Sequence, residues 1–408
     1  MESMKIIKDI TITDVPYFKA SGVSSGLKKN GNKDLGIIYS EKASVAAAVF
    51  TTNKVKAAPV LLNMKHINSE STRAIVANSG NANACTGKRG NEDANAIAEL
   101  TASLLNIPSE SVLVASTGVI GVPLPMQLIE PGIRNACEKL SYDGGKDAAQ
   151  AIMTTDTYEK SVTVEVELEG KKILLSGIAK GSGMIHPNMA TMLGFITTDA
   201  NITKAMLQEA LSESVQKTYN MISVDGDTST NDMVIILANA AAGNKLIENK
   251  DERFDAFKNA LDLLNTELAK KIARDGEGAT KLIECTVLNA ISANDARILS
   301  KSVISSDLTK AAFFGNDANW GRILCALGYS GGNFSPEKAD IFFESKAGCI
   351  QLVAEGEPLQ FCEKTASAIM AEEYVRIKAD LKEGSFSATA WGCDLTYDYV
   401  KINGSYRS

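Results

Sequence analysis

The chain has 408 residues, of which 45% are hydrophobic and 22% charged, as in ordinary globular proteins. A chain of this length exceeds one small core, so we expect two or three sub-domains. Its formal net charge of −7 disfavours a nucleic-acid-binding surface, which would carry clustered Lys and Arg. The N-terminal stretch mixes acids and bases, so no signal peptide is predicted.

In chain order, the first predicted elements are a buried apolar segment, a helix and a hairpin. The run ASVAAAVF (43–50) is too short to span a membrane and is expected to be a buried strand or helix segment. Residues 91–106 repeat apolar side chains at helical spacing, with Asn91 as a suitable N-cap. Residues 161–179 alternate as in a β-hairpin whose turn is Glu169-Gly170.

The second half of the chain continues this alternation of helical and strand periods. Helical spacing recurs over 203–220, 254–276 and 365–381, and Gly276 is expected to end the second of these helices. The run MVIILANAAA (233–242) is another buried segment, and residues 386–402 alternate as strands around Gly392. The sequence therefore predicts an α/β or α+β protein, with no composition shift that marks a domain boundary.

The cysteines and histidines limit the chemistry. The seven cysteines are scattered without a C-x-x-C pair, which favours a reducing cytoplasm and buried, unpaired thiols over a zinc ribbon or a disulfide framework. The two histidines lack the spacing of a catalytic zinc site, and neither lies near a nucleophile elbow. No phosphate-binding P-loop is present, and GSGMIH (181–186) lacks the third glycine of a dinucleotide motif.

An enzyme this poor in histidine needs another general base if it transfers acyl groups. A threonine at a chain N-terminus supplies one, because its own α-amine has a pKa of about 7.7–8.0. Thr191 could reach that state if its hydroxyl attacked the carbonyl of Ala190 and the chain were cut between them. Gly181, Gly183 and Pro187 suit a strained loop there. From the residues alone, an incidental loop threonine remains the alternative.

A family resemblance favours the nucleophile. The segment KGSGMIHPNMATML (180–193) resembles the signature of the ornithine acetyltransferases, also called glutamate N-acetyltransferases, and similar motifs follow in order along nearly the whole chain. These motifs are AVFTTNKVKAAPV (48–60), NSGNANACTG (78–87), ASTGVIG (115–121), IMTTDT (152–157), ISVDGDTSTND (222–232), RDGEGATK (274–281), NDANWGRI (316–323) and GCDLTYDYVKINGSY (392–406).

The resemblance implies roles for individual residues. Cleavage at Ala190-Thr191 would release Thr191 as the nucleophile, and Thr117 and Gly118 would form the oxyanion hole. The residues at the family's substrate-contacting positions are Thr154, Lys180, Thr191, Glu277, Asn403 and Ser408. Thr155 competes with Thr154, and Ser408 stands where the family has Thr. Lys180 would bind a substrate carboxylate and Glu277 a substrate ammonium group, and the C-terminal tail would have to fold over the site.

The implied activity is a ping-pong transfer of acetyl from N-acetylornithine to glutamate in arginine biosynthesis, with acetyl-CoA as a further donor and no metal or bound cofactor. The implied fold is α/β with mixed sheets stacked between helices, in αββα-type layers and two lobes. The chain would be cut into residues 1–190 and 191–408, which assemble as an α2β2 heterotetramer. Two alternatives stay open: an N-terminal-nucleophile amidohydrolase or aminopeptidase that uses water as acceptor, and an unprocessed small-molecule binding protein.

One acidic cluster has a competing explanation. Asp225, Asp227 and Asp232 could suggest a metal loop, but the terminal bidentate Glu of a calcium loop is missing. Structural hydrogen bonding is therefore the favoured interpretation of these aspartates.

Overall fold

A computed structural model describes residues 4–186 and 192–405 of the chain. The predicted cleavage residues Ala190 and Thr191, and the predicted substrate contact Ser408, lie outside the described residues. Every helix within residues 4–186 and 192–405 is too short or too polar to span a lipid bilayer.

The described residues form sixteen strands. They are β1 (Met4–Ile7), β2 (Phe18–Val23), β3 (Leu35–Phe50), β4 (Thr72–Asn81), β5 (Val112–Val119), β6 (Lys160–Leu168), β7 (Lys171–Lys180), β8 (Leu193–Thr198), β9 (Ile222–Ser223), β10 (Met233–Ala238), β11 (Leu282–Ala290), β12 (Asp340–Ser345), β13 (Gly348–Ala354), β14 (Glu357–Pro358), β15 (Tyr374–Asp380) and β16 (Phe386–Cys393).

Eleven α-helices accompany these strands in the described ranges. They are α1 (Ala58–His66), α2 (Gly87–Leu105), α3 (Met126–Glu138), α4 (Gly145–Ala151), α5 (Lys204–Lys217), α6 (Glu252–Arg274), α7 (Ala293–Ser305), α8 (Asp307–Phe314), α9 (Trp320–Gly328), α10 (Glu363–Met370) and α11 (Tyr397–Ser405).

The long strand β3 joins two halves of one large mixed sheet. Its first part pairs with β2 and β4, and its last part, residues 45–50, pairs with β10. The strand order is β1-β6-β7-β8-β10-β3-β4-β5, and β2 also pairs with β3. The two halves pack face to face, because Ile75 and Leu113 share one buried cluster with Phe195 and Ile235.

Helices cover the two outer faces of this sandwich. On one side, Ile97 of α2 and Ile133 of α3 pack on Val76 and Val114 of the sheet. On the other side, α6 covers β6 and β7, and α5 packs on α6 and on the last part of β3, in the largest core cluster of the described residues. The order helix, sheet, sheet, helix confirms the predicted α/β fold with αββα-type layers.

A second lobe holds the other mixed sheet, in the order β14-β13-β12-β15-β11-β16-β9. Helix α7 packs on β11 and β16, and its Leu299 and Val303 join the same core cluster as α6. The lobes therefore share one continuous apolar core.

Several local predictions were wrong. Residues 365–381 are not one helix: α10 ends at Met370, and Tyr374–Asp380 forms the strand β15 because its side chains alternate between buried and exposed. The strand after Phe386 ends at Cys393 and gives way to α11. Helix α2 begins at Gly87, one turn before Asn91. Four cysteines, Cys85, Cys325, Cys349 and Cys362, are exposed rather than buried.

Candidate active site

The predicted site residues within the described ranges meet at one pocket. Its lining includes Thr117, Gly118, Thr154, Lys180, Glu277 and Asn403, which come from widely separated parts of the chain. Met192, the residue directly after Thr191, also lines it. The pocket therefore joins the end of β5, the end of β7, the start of β8, the loop after α6 and the C-terminal helix α11.

Strand pairing fixes what surrounds the start of β8. Leu193 pairs with Lys180 of β7 on one side and with Met233 of β10 on the other. The amide of Met233 also donates a hydrogen bond to the carbonyl of Met192, at 3.0 Å. Asp232 directly precedes Met233. Lys180 and Asp232 therefore flank the chain immediately after Thr191.

Thr117 and Gly118 end β5 beside β4, in register with Ser79 and Gly80. Gly118 has φ of 130°, and a Cβ there would lie 2.4 Å from the carbonyl carbon of Gly80. Only glycine fits this backbone at so close an approach. The side-chain amide of Asn231 donates to the carbonyl of Ser116 at 2.8 Å and so ties this turn to the loop before β10.

A buried charge cluster lies behind Lys180. Lys160 donates to Asp156 at 2.7 Å and to Asp275 at 2.6 Å. Although burial opposes it, the positive charges of Lys180 and Lys160 hold the pKa of Asp156 at about 2. Burial lowers the pKa of Lys180, and Asp156, Asp232 and Glu277 counteract that shift through their negative charges. Lys180 is thus a buried lysine whose charged form is favoured by nearby carboxylates.

Glu277 is positioned by the loop after β7. Its amide donates to the carbonyl of Ser182 at 2.9 Å, and its carboxylate lies against Gly183, where a Cβ would be 2.4 Å from Oε2. The hydroxyls of Thr155 and Ser182 lie 2.6 Å apart in a hydrogen bond. Thr155 is therefore engaged by this loop, although both Thr154 and Thr155 line the pocket.

The C-terminal helix α11 reaches the same loop. The side-chain amide of Asn403 donates to Oε2 of Glu277 at 2.7 Å. The Tyr399 hydroxyl donates to Asp225 at 3.3 Å, and the ring of Tyr397 packs edge-on against Phe314. Asn403 of α11 thus lies at the pocket.

Asp225 supports the loop that leads toward the cleavage position. Its carboxylate accepts from the amides of Met184 at 2.6 Å and Ile185 at 2.8 Å. This arrangement agrees with a structural role for Asp225 rather than a metal loop. His186 is 3.0 Å from the Ser223 hydroxyl through Nδ1, and burial lowers its pKa to about 4.

Sequence reasoning missed the pocket wall formed by Ser229, Thr230, Asn231 and Asp232. Asp232 was interpreted only as structural, yet its side chain lines the pocket and is 3% exposed. Its Oδ2 has no hydrogen-bond partner among the described residues. Burial raises the pKa of Asp232 well above its usual range, despite hydrogen bonds from Ser229 and the charge of Lys180. The sequence signal was an acidic residue directly before the wholly apolar strand MVIILA.

The arrangement suits a small zwitterionic substrate. A buried cation and a carboxylate lie on the wall of one pocket, and the backbone of Gly118 lies on the same wall. Within residues 4–186 and 192–405, no group of three or more His, Cys, Asp or Glu side chains could hold a metal ion. The lining residues of the pocket can bind a small charged molecule through polar contacts.

Comparisons with known proteins agree with the motifs. The model of the ArgJ family matches residues 19–408. The arginine biosynthesis bifunctional protein ArgJ 1 of Clostridium acetobutylicum is 58% identical over the full length of both chains. A solved chain of the bifunctional protein from Bacillus halodurans is 47% identical and covers 52% of this chain and 98% of itself, with a TM-score of 0.50. A chain of the Mycobacterium tuberculosis ornithine acetyltransferase, solved with ornithine, is 36% identical over 46% of this chain and 100% of itself, with a TM-score of 0.43. The chain therefore belongs to the ArgJ family of arginine-biosynthesis enzymes, as its ordered motifs predicted.

Proposed function

We propose that this enzyme transfers the acetyl group of N-acetylornithine to glutamate through an acetyl ester on Thr191. The observation that carries the proposal is the convergence of Thr117, Gly118, Lys180 and Glu277 on a single pocket at Met192, the residue after Thr191. These residues are far apart in the sequence and lie close together only in the folded structure.

Thr191 first becomes a chain terminus. Its hydroxyl attacks the carbonyl carbon of Ala190, the peptide C–N bond breaks, and water hydrolyses the resulting ester to give a free carboxylate and a free α-amine. The products are residues 1–190 and 191–408. A supporting observation comes from the solved Bacillus halodurans chain. The match covers 98% of that chain and 52% of this one, so the solved chain is only about half as long.

Acetyl transfer then takes two half-reactions. The α-amine of Thr191 takes the proton of its own hydroxyl while Oγ attacks the acetyl carbonyl carbon. The amine returns that proton to the departing nitrogen of ornithine as the amide C–N bond breaks. The amine of glutamate attacks the ester in the second half-reaction and restores the threonine hydroxyl. An α-amine with a pKa of about 8 suits both proton transfers near neutral pH.

The oxyanion is held at the end of β5. The amide N–H of Gly118 and the hydroxyl of Thr117 are the donors that would meet the negative charge on the acetyl oxygen. Gly118 lies so close to Gly80 that any side chain at this donor position would clash with the backbone of β4.

The remaining residues recognise the amino-acid head. Lys180 binds the α-carboxylate that donor and acceptor share, and Glu277, oriented by Asn403, faces a substrate ammonium group. Thr154 is favoured over Thr155 as a substrate contact, because the Thr155 hydroxyl is already bonded to Ser182. Ser408 completes the set of proposed contacts.

We further propose that acetyl-CoA serves as a second acetyl donor, in keeping with the name of the bifunctional relatives, and that the enzyme holds no resident cofactor. The proposed assembly is an α2β2 heterotetramer in the cytoplasm, where unpaired thiols stay reduced. Hydrolysis, with water as the acceptor, remains the second candidate reaction. It is distinguished by the ratio of N-acetylglutamate to acetate formed from N-acetylornithine when glutamate is supplied.

The test is a denaturing gel combined with an assay of ornithine release. The wild-type enzyme should run as two fragments whose new N-terminus is Thr191, and Thr191→Ala should run as one inactive chain. Thr191→Ser should restore cleavage and part of the activity, because it keeps the hydroxyl. A wild-type chain that stays intact and is as active as Thr191→Ala would refute the proposal.

A further inference from the structure

One buried carboxylate behind the pocket wall has no part in the proposed chemistry. Asp156 lies in the loop before β6 and is 9% exposed. Its Oδ1 accepts from the ammonium group of Lys160 at 2.7 Å and from the amide of Gly181 at 2.7 Å. Its Oδ2 accepts from the amide of Thr154 at 2.9 Å. Three donors therefore fix the position and the direction of this carboxylate.

Two of these donors connect Asp156 to the pocket. Thr154 lines the pocket, and Gly181 directly follows Lys180, the last residue of β7. The hydrogen bond from the amide of Gly181 holds the backbone where the chain leaves β7. Because Lys180 is the residue before that bond, Asp156 helps to set where the side chain of Lys180 starts.

Asp156 also supplies a negative charge to Lys180. Burial lowers the pKa of Lys180, and Asp156 is the strongest of the charges that oppose this shift. Burial opposes ionisation of Asp156 too, but the charges of Lys180 and Lys160 hold its pKa at about 2, so it stays ionised near neutral pH. Among the described residues, the other charged or titratable groups that act on Lys180 are Lys28, Lys160, Asp232 and Glu277.

We propose that Asp156 is a positioning residue that places Lys180 at the wall of the pocket and supplies the negative charge that its ammonium group faces. The inference rests on the proposed function, because it assigns a partner to the lysine that binds the substrate carboxylate there. Asp156 lies outside the pocket lining and acts through Lys180. The substrate then meets a lysine that is already protonated and already in place.

A purely structural role is the alternative, because Asp156 also anchors Lys160. Asp275 separates the two roles. It accepts from Lys160 at 2.6 Å and from the amide and the hydroxyl of Thr157, and it is 5% exposed. The two carboxylates thus match in burial, in their number of donors and in their shared lysine. Asp275 and Thr157 lie outside the pocket lining, so Asp275→Asn is a matched control.

The experiment measures kcat/KM for N-acetylornithine against pH in the wild-type enzyme, Asp156→Asn and Asp275→Asn. Loss of a nearby negative charge lowers the pKa of a lysine by about 1 unit or more. The profile of kcat/KM reports groups of the free enzyme, so the basic limb of Asp156→Asn should move to lower pH by about 1 unit. Above that limb, the shift is about a 10-fold loss in kcat/KM. Asp275→Asn should keep the wild-type limb.

Two further measurements show whether Asp156 acts through Lys180. On N-acetylputrescine, which lacks the carboxylate of N-acetylornithine, Asp156→Asn should change kcat/KM by less than about 3-fold. Added to Lys180→Met, Asp156→Asn should lower kcat/KM for N-acetylornithine by less than about 3-fold, because the residue through which it acts is already gone.

Two other replacements of Asp156 control for charge and for folding. Asp156→Glu keeps the negative charge and should keep the wild-type basic limb. Denaturation curves show whether each variant is folded at the assay temperature. If Asp156→Asn is unfolded there, Asp156→Ser removes the same charge with a smaller side chain and takes its place.

Each other result decides against the assignment. A wild-type basic limb in Asp156→Asn would overturn it. An equal shift in Asp275→Asn would do so as well, since the effect would then come from the loss of a partner for Lys160. Additive losses in the Lys180→Met background would show that Asp156 does not act through Lys180. A Lys180→Met enzyme with the wild-type kcat/KM would instead refute the proposed recognition of the carboxylate itself.

Discussion

Replacing Lys180 with Met tests how the pocket recognises the amino-acid carboxylate. Lys180 is only 8% exposed, so its bond to a substrate carboxylate would be desolvated. Removing one partner of a buried charge pair costs about 2–5 kcal/mol. That cost corresponds to a loss of about 30-fold to several thousand-fold in kcat/KM. The loss should occur in both half-reactions, since donor and acceptor share the carboxylate.

The fold should survive this change. Asp156, the anion beside Lys180, keeps its 2.7 Å bond to Lys160 and is therefore not left unpaired. Lys28→Met is the matched control: Lys28 is a half-buried lysine near the same carboxylate, but its ammonium donates to the carbonyl of Lys33 outside the pocket lining. It should keep its kcat/KM within about 3-fold, which is about 0.65 kcal/mol.

The assay uses two donors. Ornithine release is measured from N-acetylornithine and release of putrescine from N-acetylputrescine, the same molecule without its carboxylate. Lys180→Met should lose activity on the first donor and match the wild-type enzyme on the second, to within a few-fold. An equal loss by Lys180→Met on the decarboxylated donor, or a loss by Lys28→Met as large as that by Lys180→Met, would show that Lys180 does not bind the substrate carboxylate.

Three further predictions concern stability and the oxyanion site. Lys160→Met should lower the free energy of unfolding by about 3–5 kcal/mol, because it leaves Asp156 and Asp275 buried without their shared cation. The exposed Lys172→Met is the control and should lower it by less than about 1 kcal/mol. Equal denaturation midpoints for the two variants would contradict this prediction. The folded-state pKa of Asp156 lies below its unfolded value of 3.8, so ionised Asp156 stabilises the folded protein by about 2 kcal/mol. This stabilisation should be present above pH 4 and disappear as the pH falls toward 2. Denaturation curves recorded at each pH measure it. Gly118→Ala should lower kcat by about 10²-fold or more with an unchanged KM, because the added Cβ would displace the amide of the oxyanion hole. If this variant keeps the wild-type kcat, Gly118 is not part of the oxyanion hole.

The sequence predicted those elements whose periodicity was long and uninterrupted. The hairpin with its Glu169-Gly170 turn, α5 and α6 lie where the patterns placed them. The prediction failed over 365–381, because the run of Ala and Glu favours a helix while the alternation from Tyr374 onward favours a strand. Pairing of that segment with β11 and β12, which is not local, decides between the two.

The candidate site was likewise predicted only in part. Motifs identified the residues from Thr117 to Asn403, but nothing in their spacing indicates that β7 and β10 flank the start of β8. Asp232 was missed for that reason. Its burial, and the lack of a hydrogen-bond partner for its Oδ2 within residues 4–186 and 192–405, both depend on the tertiary structure.

A covalent acetyl group on an N-terminal Thr191 can be detected by mass spectrometry of the enzyme quenched after mixing with N-acetylornithine alone. We expect two fragments, with one acetyl group added to the fragment that begins at Thr191. Peptide fragmentation should locate this group on that residue, and it should be lost when glutamate is added. An uncut chain that still releases ornithine, or an acetyl group on any other residue that disappears at the catalytic rate, would contradict the proposed acetyl transfer.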